Sequence, residues 1–161
     1  MKSGLALATG SASPFSFRNQ LADQWYDLHN PEQTSTPMLV RFRTVREGFP
    51  ANVDALKIQH VLLYFVRANG KSFEVTDTRL RYTAQEEIGT LGGSATSIDG
   101  IISTRRGNAG SWAAMIGKSP VGEWELALPN TEEMKKRFKS EEIEDILLVI
   151  TYSGRTPEWP S

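Results

Sequence analysis

Two stretches decide the fold: Leu56-Lys-Ile-Gln-His60-Val-Leu-Leu-Tyr-Phe-Val66, and later Ile143-Glu-Asp145-Ile-Leu-Leu-Val-Ile150-Thr-Tyr152. Their β-branched and aromatic content favours strands over helices of equal length. In the first, Ile58, Leu62, Tyr64 and Val66 are expected on one side, with Val61, Leu63 and Phe65 on the other. In the second, Ile146, Leu148 and Ile150 oppose Ile143, Leu147 and Val149. A half-exposed antiparallel strand shows one apolar and one polar face, so strands apolar on both sides must be covered twice. Leaving three such side chains in water costs about 1.5–3 kcal/mol each relative to burial. An outer sheet face is therefore expected to be docked, by the chain's own helix and N-terminal arm (Phe15, Phe17, Trp25, Tyr26) or by a partner.

Working outward, Met38 to Val45 alternates, with Met38, Val40 and Phe42 on one face and Arg41 and Arg43 on the other. Asn69-Gly70 is the strongest two-residue hairpin signal and predicts a returning strand over Ser72–Val75. Further strands are expected at Arg79–Thr83, Ile98–Thr104, Trp112–Ile116 and Glu123–Leu128. Asn130 with Glu133 three residues on reads as a capping box. Glu132 and Glu133 in the first turn of that helix, and Lys135, Lys136, Arg137 and Lys139 near its end, suit the helix dipole. Met134 and Phe138, four apart, share a face, and a second helical turn is expected around Ala22–Leu28. These elements predict an all-β fold, an antiparallel β-sandwich of about eight strands with one short helix near residues 131–139. Thr9 to Pro14 has linker composition, which predicts a flexible arm over residues 1–14 and a sandwich domain over 15–161. So polar a start suggests a chain that begins inside a larger protein.

Length and charge bound the function. With 161 residues, one domain can bury about 68–70% of its unfolded surface. Eighteen basic against nineteen acidic side chains lack the positive surplus of a general nucleic-acid binder. With no cysteine, disulfides, thiolate metal sites, iron–sulfur clusters and a cysteine nucleophile are excluded. No apolar run approaches the roughly 18 residues of a membrane-spanning helix, and Leu5–Ala8 is too short for the apolar core of a secretory signal.

No motif carries a reaction. Gly117-Lys118-Ser119 resembles the end of a phosphate-binding loop, yet Trp112 stands where the first glycine is needed and Pro120 removes an amide donor; a surface turn is expected. Gly89-Thr-Leu-Gly-Gly93 follows no apolar strand and opens no helix, so a flexible loop is expected. The two histidines, His29 and His60, preclude a three-histidine zinc site and read as a turn residue and a packed imidazole. Glu123 and Glu125 could form a carboxylate pair, but opposite Trp124 and Leu126 they read as a solvated face; Asp145 reads as half of a structural salt bridge. No Asp-x-Asp spacing suggests calcium, and no cofactor is expected.

Three stretches in order carry a resemblance: Leu21-Ala-Asp-Gln-Trp25-Tyr-Asp-Leu-His-Asn30-Pro31, Gly122-Glu-Trp124-Glu-Leu126-Ala-Leu128-Pro129, and Ile143 to Tyr152. Together they resemble the C-terminal region of TcA, the large A subunit of bacterial Tc toxin complexes, over about Phe15 to Trp159. The most specific part is Trp-x-Leu-x-Leu-Pro, a charged helix, then the Asp-containing apolar strand ending in Tyr. Where that family often has a Pro-Phe-Glu-Gly-like loop before the Trp, this chain has Met115-Ile-Gly-Lys-Ser-Pro120. The resemblance implies a secreted, non-catalytic β-sandwich that docks a TcB-like subunit at the entrance of a pentameric channel formed with other copies of the A subunit. The contact surface is then expected in the loop Arg105–Pro120: Arg105, Arg106, Asn108, Trp112, Ile116 and Lys118, with Trp112 and Arg106 as anchors. Two other readings stay open. A carbohydrate-binding module would use Trp112, Asn108 and Arg106, and a hydrolase would use Glu123 or Asp145.

Overall fold

Eight strands form two four-stranded antiparallel sheets in a computed structural model that describes residues 5–29, 38–85 and 87–157. They are β1 (Leu5–Ser16), β2 (Met38–Thr44), β3 (Asp54–Arg67), β4 (Thr78–Ala84), β5 (Leu91–Ala95), β6 (Ile101–Ser103), β7 (Gly122–Leu128) and β8 (Ile143–Pro157). One sheet runs β1-β8-β3-β6, the other β2-β7-β4-β5. The expected all-β sandwich is present. Asn30, Pro31 and Trp159 of the resembling stretches, and residues 1–4 of the expected arm, lie outside the described residues.

The inner faces fill the core. Met38, Val40 and Phe42 of β2 point inward as their alternation requires, meeting Leu80 and Tyr82 of β4 and Trp124, Leu126 and Leu128 of β7. From the other sheet come Val61, Leu63 and Phe65 of β3 and Ile146, Leu148 and Ile150 of β8. Ile58 joins them, contrary to expectation. Its N–H donates to Lys118 O and its C=O accepts from Gly117 N, both at 2.8 Å. The ladder to β8 slips between Ile58 and His60, and that bulge moves Ile58 to the buried side.

Several local expectations change for identifiable reasons. Asn69-Gly70 makes a turn closed by Lys71 N to Ala68 O at 3.0 Å, but only Gly70 has positive φ (80°), so it is not the type I′ geometry that returns a strand; Ser72–Val75 is irregular. The type I′ pattern occurs instead at Asp99-Gly100, φ 55° and 77°, joining Ile98 to Ile101 and dividing the expected strand Ile98–Thr104. Gly89–Gly93 contributes to β5 rather than to a free loop. A Cβ on Gly92 (φ 115°) would lie 1.9 Å from Leu80 O, so glycine is needed there for strand approach. Trp112–Ile116 is not a strand: Gly110–Met115 is a 3-10 helix. Residues 5–16, mostly expected as linker, pair with β8 as β1.

The helices are α1 (Phe17–Gln20), α2 (Ala22–His29) and α3 (Glu132–Lys139). The cap of α3 is Thr131, not Asn130: its Oγ1 accepts from Met134 N at 3.1 Å. Glu133 pairs with Arg137 one turn on instead of reaching back to the cap. Met134 and Phe138 enter the main core, and Phe138 packs edge-on against Trp25 of α2 at 5.7 Å. Phe15 and Phe17 also turn inward, onto Phe42 at 4.9 and 5.3 Å. Asp145 does not pair with an arginine side chain; it accepts from Ser16 Oγ (2.6 Å) and Arg18 N (3.0 Å), tying α1 to β8.

Thr78 is fully buried on β4, and its hydroxyl has no hydrogen-bond partner among the described residues. Thr78→Val is expected to leave stability unchanged or raise it by up to about 1 kcal/mol, since an unmet hydroxyl contributes only desolvation cost. Urea unfolding at constant m checks this. A loss above about 2 kcal/mol would show that the hydroxyl is bonded.

Candidate docking surface

The two sheets present opposite chemistry to solvent. Outside the β2-β7-β4-β5 sheet, cross-strand register sets Arg41 opposite Glu125 and Arg43 opposite Glu123, with N···O distances of 3.0 and 2.7 Å. Arg81 and Thr83 of β4 flank the same glutamates. These residues line a shallow depression of about 570 Å³. This is a solvated ion-pair lattice, as the alternation of β2 and β7 requires, and such exposed pairs contribute little. The carboxylates of Glu123 and Glu125 face guanidinium groups on an open surface, the solvated face expected for them.

The outer face of the β1-β8-β3-β6 sheet is apolar. Tyr64 stands opposite Leu147 on β8 and Ile101 on β6, and Ile101 is bridged to Ile98. Paired residues point to the same face, so Leu147, Tyr64, Ile101 and Ile98 form one row across the sheet. Pro14, Val149 and Leu62 form the next row, and Val66 lies beyond Tyr64. The central residues are half-buried, while Ile98 at the end is 57% exposed. At strand spacings of about 4.8 Å the first row spans roughly 14 Å. Neither α3 nor the aromatic residues Phe15 and Phe17 cover it, because all are committed to the core. The second apolar face read from sequence is thus present at Leu62, Tyr64, Val66, Leu147 and Val149 and open among the described residues, while Ile58 and Ile143, expected with them, turn into the core where the β3–β8 ladder slips.

The expected contact loop behaves differently from the expectation. Trp112 is fully buried, and its Nε1–H donates to Gly93 O at 2.8 Å, while Ser111 Oγ donates to Ser94 O at 2.9 Å. These bonds close the free edge of β5, so Trp112 is a core residue with no exposed ring face, unlike the exposed anchor expected from the sequence. Asn108 is a clip at the other edge: its Oδ1 accepts from Ser103 N (3.0 Å), and its Nδ2 donates to Ile101 O (2.8 Å) and Thr96 O (3.0 Å). The turn expected at Gly117–Ser119 is present; Gly117 has φ 90°, and Lys118 pairs with Glu87 at 3.5 Å. Ile116 is exposed. Arg105 and Arg106 are exposed with no ion-pair partner among the described residues. The loop therefore spans from the β6 edge to the β5 edge as a side wall. Of the six expected contact residues, only Arg105, Arg106 and Ile116 are exposed and unpaired.

His60 Nδ1 lies 3.1 Å from Thr104 Oγ1, and His29 Nδ1 lies 2.7 Å from Trp25 O, both satisfied inside the fold. No group of three His, Asp or Glu residues suited to a metal occurs among the described residues.

Glu74 organises the Ile98–Ile101 end of the apolar row. It accepts from Ser97 Oγ (2.7 Å), Gly100 N (3.0 Å) and Asp99 N (2.8 Å), with Arg67 at 4.0 Å. Burial opposes its ionisation, but the bonds from Ser97, Gly100 and Asp99 and the Arg67 charge outweigh it and hold the carboxyl below its usual 4.5. A depressed carboxyl stabilises the fold above its unfolded pKa, and that contribution is lost as pH falls through the lower folded value. Glu74→Gln is thus expected to be less stable than wild type near neutrality, the two converging as pH falls through the lowered folded value. Urea titrations across this range check it. A difference independent of pH would show that the carboxylate charge is not used.

Neither a protein-family model nor a curated protein sequence matches this chain.

Proposed function

We propose that this domain is a non-catalytic docking module of a TcA-like toxin subunit, exported with its parent, which holds a TcB-like subunit through the outer face of the β1-β8-β3-β6 sheet. One observation carries the reading: the apolar rows Leu147–Tyr64–Ile101–Ile98 and Pro14–Val149–Leu62 on a sheet whose counterpart is clothed in ion pairs. The resemblance supplies the kind of partner, and the packing supplies the reason to have one. Such a patch matches the core of a protein interface, which needs about 800 Å² per partner once a polar rim is added. The role requires no reacting group. Seating a preformed, rigid sheet limits the ordering cost of association.

Surface-immobilised domain exposed to a purified TcB-like subunit tests the assignment. Saturable binding at micromolar concentration or tighter is expected; no binding at tens of micromolar would overturn it.

A further inference from the structure

Resting on that docking reading, we infer that the partner presents an apolar patch bordered by carboxylates, and that Arg105 and Arg106 receive those carboxylates at the β6 border of the sheet. Ser103 is opposite Leu62, so its hydroxyl lies on the outer face, and Arg105 N donates to that hydroxyl at 3.1 Å. Arg106 N closes the same turn onto Ser103 O at 3.2 Å. Thr104 Oγ1 touches His60, which lies two residues before Leu62 on the outer side of β3, opposite Thr151. The turn is therefore folded against the apolar rows and carries two adjacent guanidinium groups at their edge.

Arg41, Arg43, Arg67, Arg79 and Arg137 each have a carboxylate within 4.0 Å, whereas Arg105 and Arg106, like Arg18, Arg46, Arg81 and Arg155, have none among the described residues; Arg105 and Arg106 are the adjacent pair of these and stand beside the apolar rows. Along this border the two guanidinium groups stand at the Ser103 end, whereas the carboxylates of Glu74 and Asp99 stand at the Ile98–Ile101 end, where Glu74 is engaged by Ser97, Asp99 N and Gly100 N. A guanidinium fork at the rim of a dry patch favours carboxylate partners, steers their approach and fixes orientation. Carboxylates suit the border better than a lipid headgroup does, because the half-buried side chains of the rows form a flat surface with little to insert into a bilayer.

The test compares association rates with a purified TcB-like subunit for wild type, R105E/R106E, Tyr64→Arg and the opposite-sheet control Arg81→Glu. At about 50 mM salt the double reversal is expected to associate roughly tenfold more slowly, and to lose most of the slowing that wild type shows at 500 mM. Arg81→Glu should match wild type. If R105E/R106E binds like wild type while Tyr64→Arg does not bind, the acidic border is wrong and the docking face stands. If Tyr64→Arg binds normally, the face itself is wrong, and this inference falls with it. Wild-type binding to phosphatidylglycerol vesicles but not to the subunit, abolished in R105E/R106E, would overturn the protein partner in favour of a membrane. A wild-type dimer by light scattering that Tyr64→Arg dissociates would overturn it in favour of a second copy.

Discussion

Trp112→Ala is expected to destabilise the whole domain by about 3–5 kcal/mol, as large-to-small substitutions of core aromatics do. The indole is fully buried, and its N–H satisfies Gly93 O on an edge strand that otherwise has no neighbour on that side. Its loss opens a cavity beside Met115 and Ala109, and it strips a hydrogen bond worth about 1 kcal/mol. Against a typical total of about 5–15 kcal/mol this is a large fraction, and the melting temperature should fall by about 10 °C or more. Trp112→Phe, which keeps an aromatic ring but not the donor, should lose about 1–3 kcal/mol. Thermal unfolding of both variants decides between core and contact roles. An unchanged melting temperature with docking lost would make Trp112 an anchor after all.

Tyr64→Arg is expected to have the opposite profile, with the melting temperature nearly kept and affinity for a TcB-like subunit reduced at least about 100-fold. Tyr64 sits at the centre of the apolar row, between Leu147 and Ile101, and its side chain faces outward, away from the core that Leu63 and Phe65 enter. Arginine can keep its stem on the sheet and its charge in water in the free domain. In a complex the same charge would be desolvated against apolar atoms, and central interface positions tolerate that poorly. Thr83→Arg, outward on the ion-paired sheet beside Glu123, is the matched control and should bind like wild type. Equal loss in both variants would indicate a global effect rather than a docking face.

Much of the fold was legible because period-2 patterning survives packing. Met38–Thr44 and Gly122–Leu128 alternate in burial as their residues alternate in polarity. The excess apolar surface of Leu62, Tyr64, Leu147 and Val149 was legible too, since no neighbour is needed to see that both sides of a strand are greasy. What was not legible depended on backbone sign and distant partners. Asn69-Gly70 and Asp99-Gly100 carry the same kind of hairpin signal, yet only the second has both central residues at positive φ. There Glu74, remote in sequence, pins the turn through Asp99 N and Gly100 N. The bulge that turns Ile58 inward depends on Gly117 and Lys118, which no window around Ile58 contains. Trp112 is expected as a contact because interface hot spots favour tryptophan, yet in the fold it is fully buried. Its burial follows only once β5 provides a carbonyl for the indole.

Hydroxyl-radical footprinting of the free domain and of its complex with a TcB-like subunit tests docking through the β1-β8-β3-β6 sheet directly, because it reads the reactivity of individual side chains on both sheets at once. Tyr64, Leu147 and Ile98 are expected to lose most of their reactivity in the complex, while Leu39 and Ile88 keep theirs. Protection of Leu39 and Ile88 with Tyr64 and Ile98 unchanged would contradict docking through that sheet.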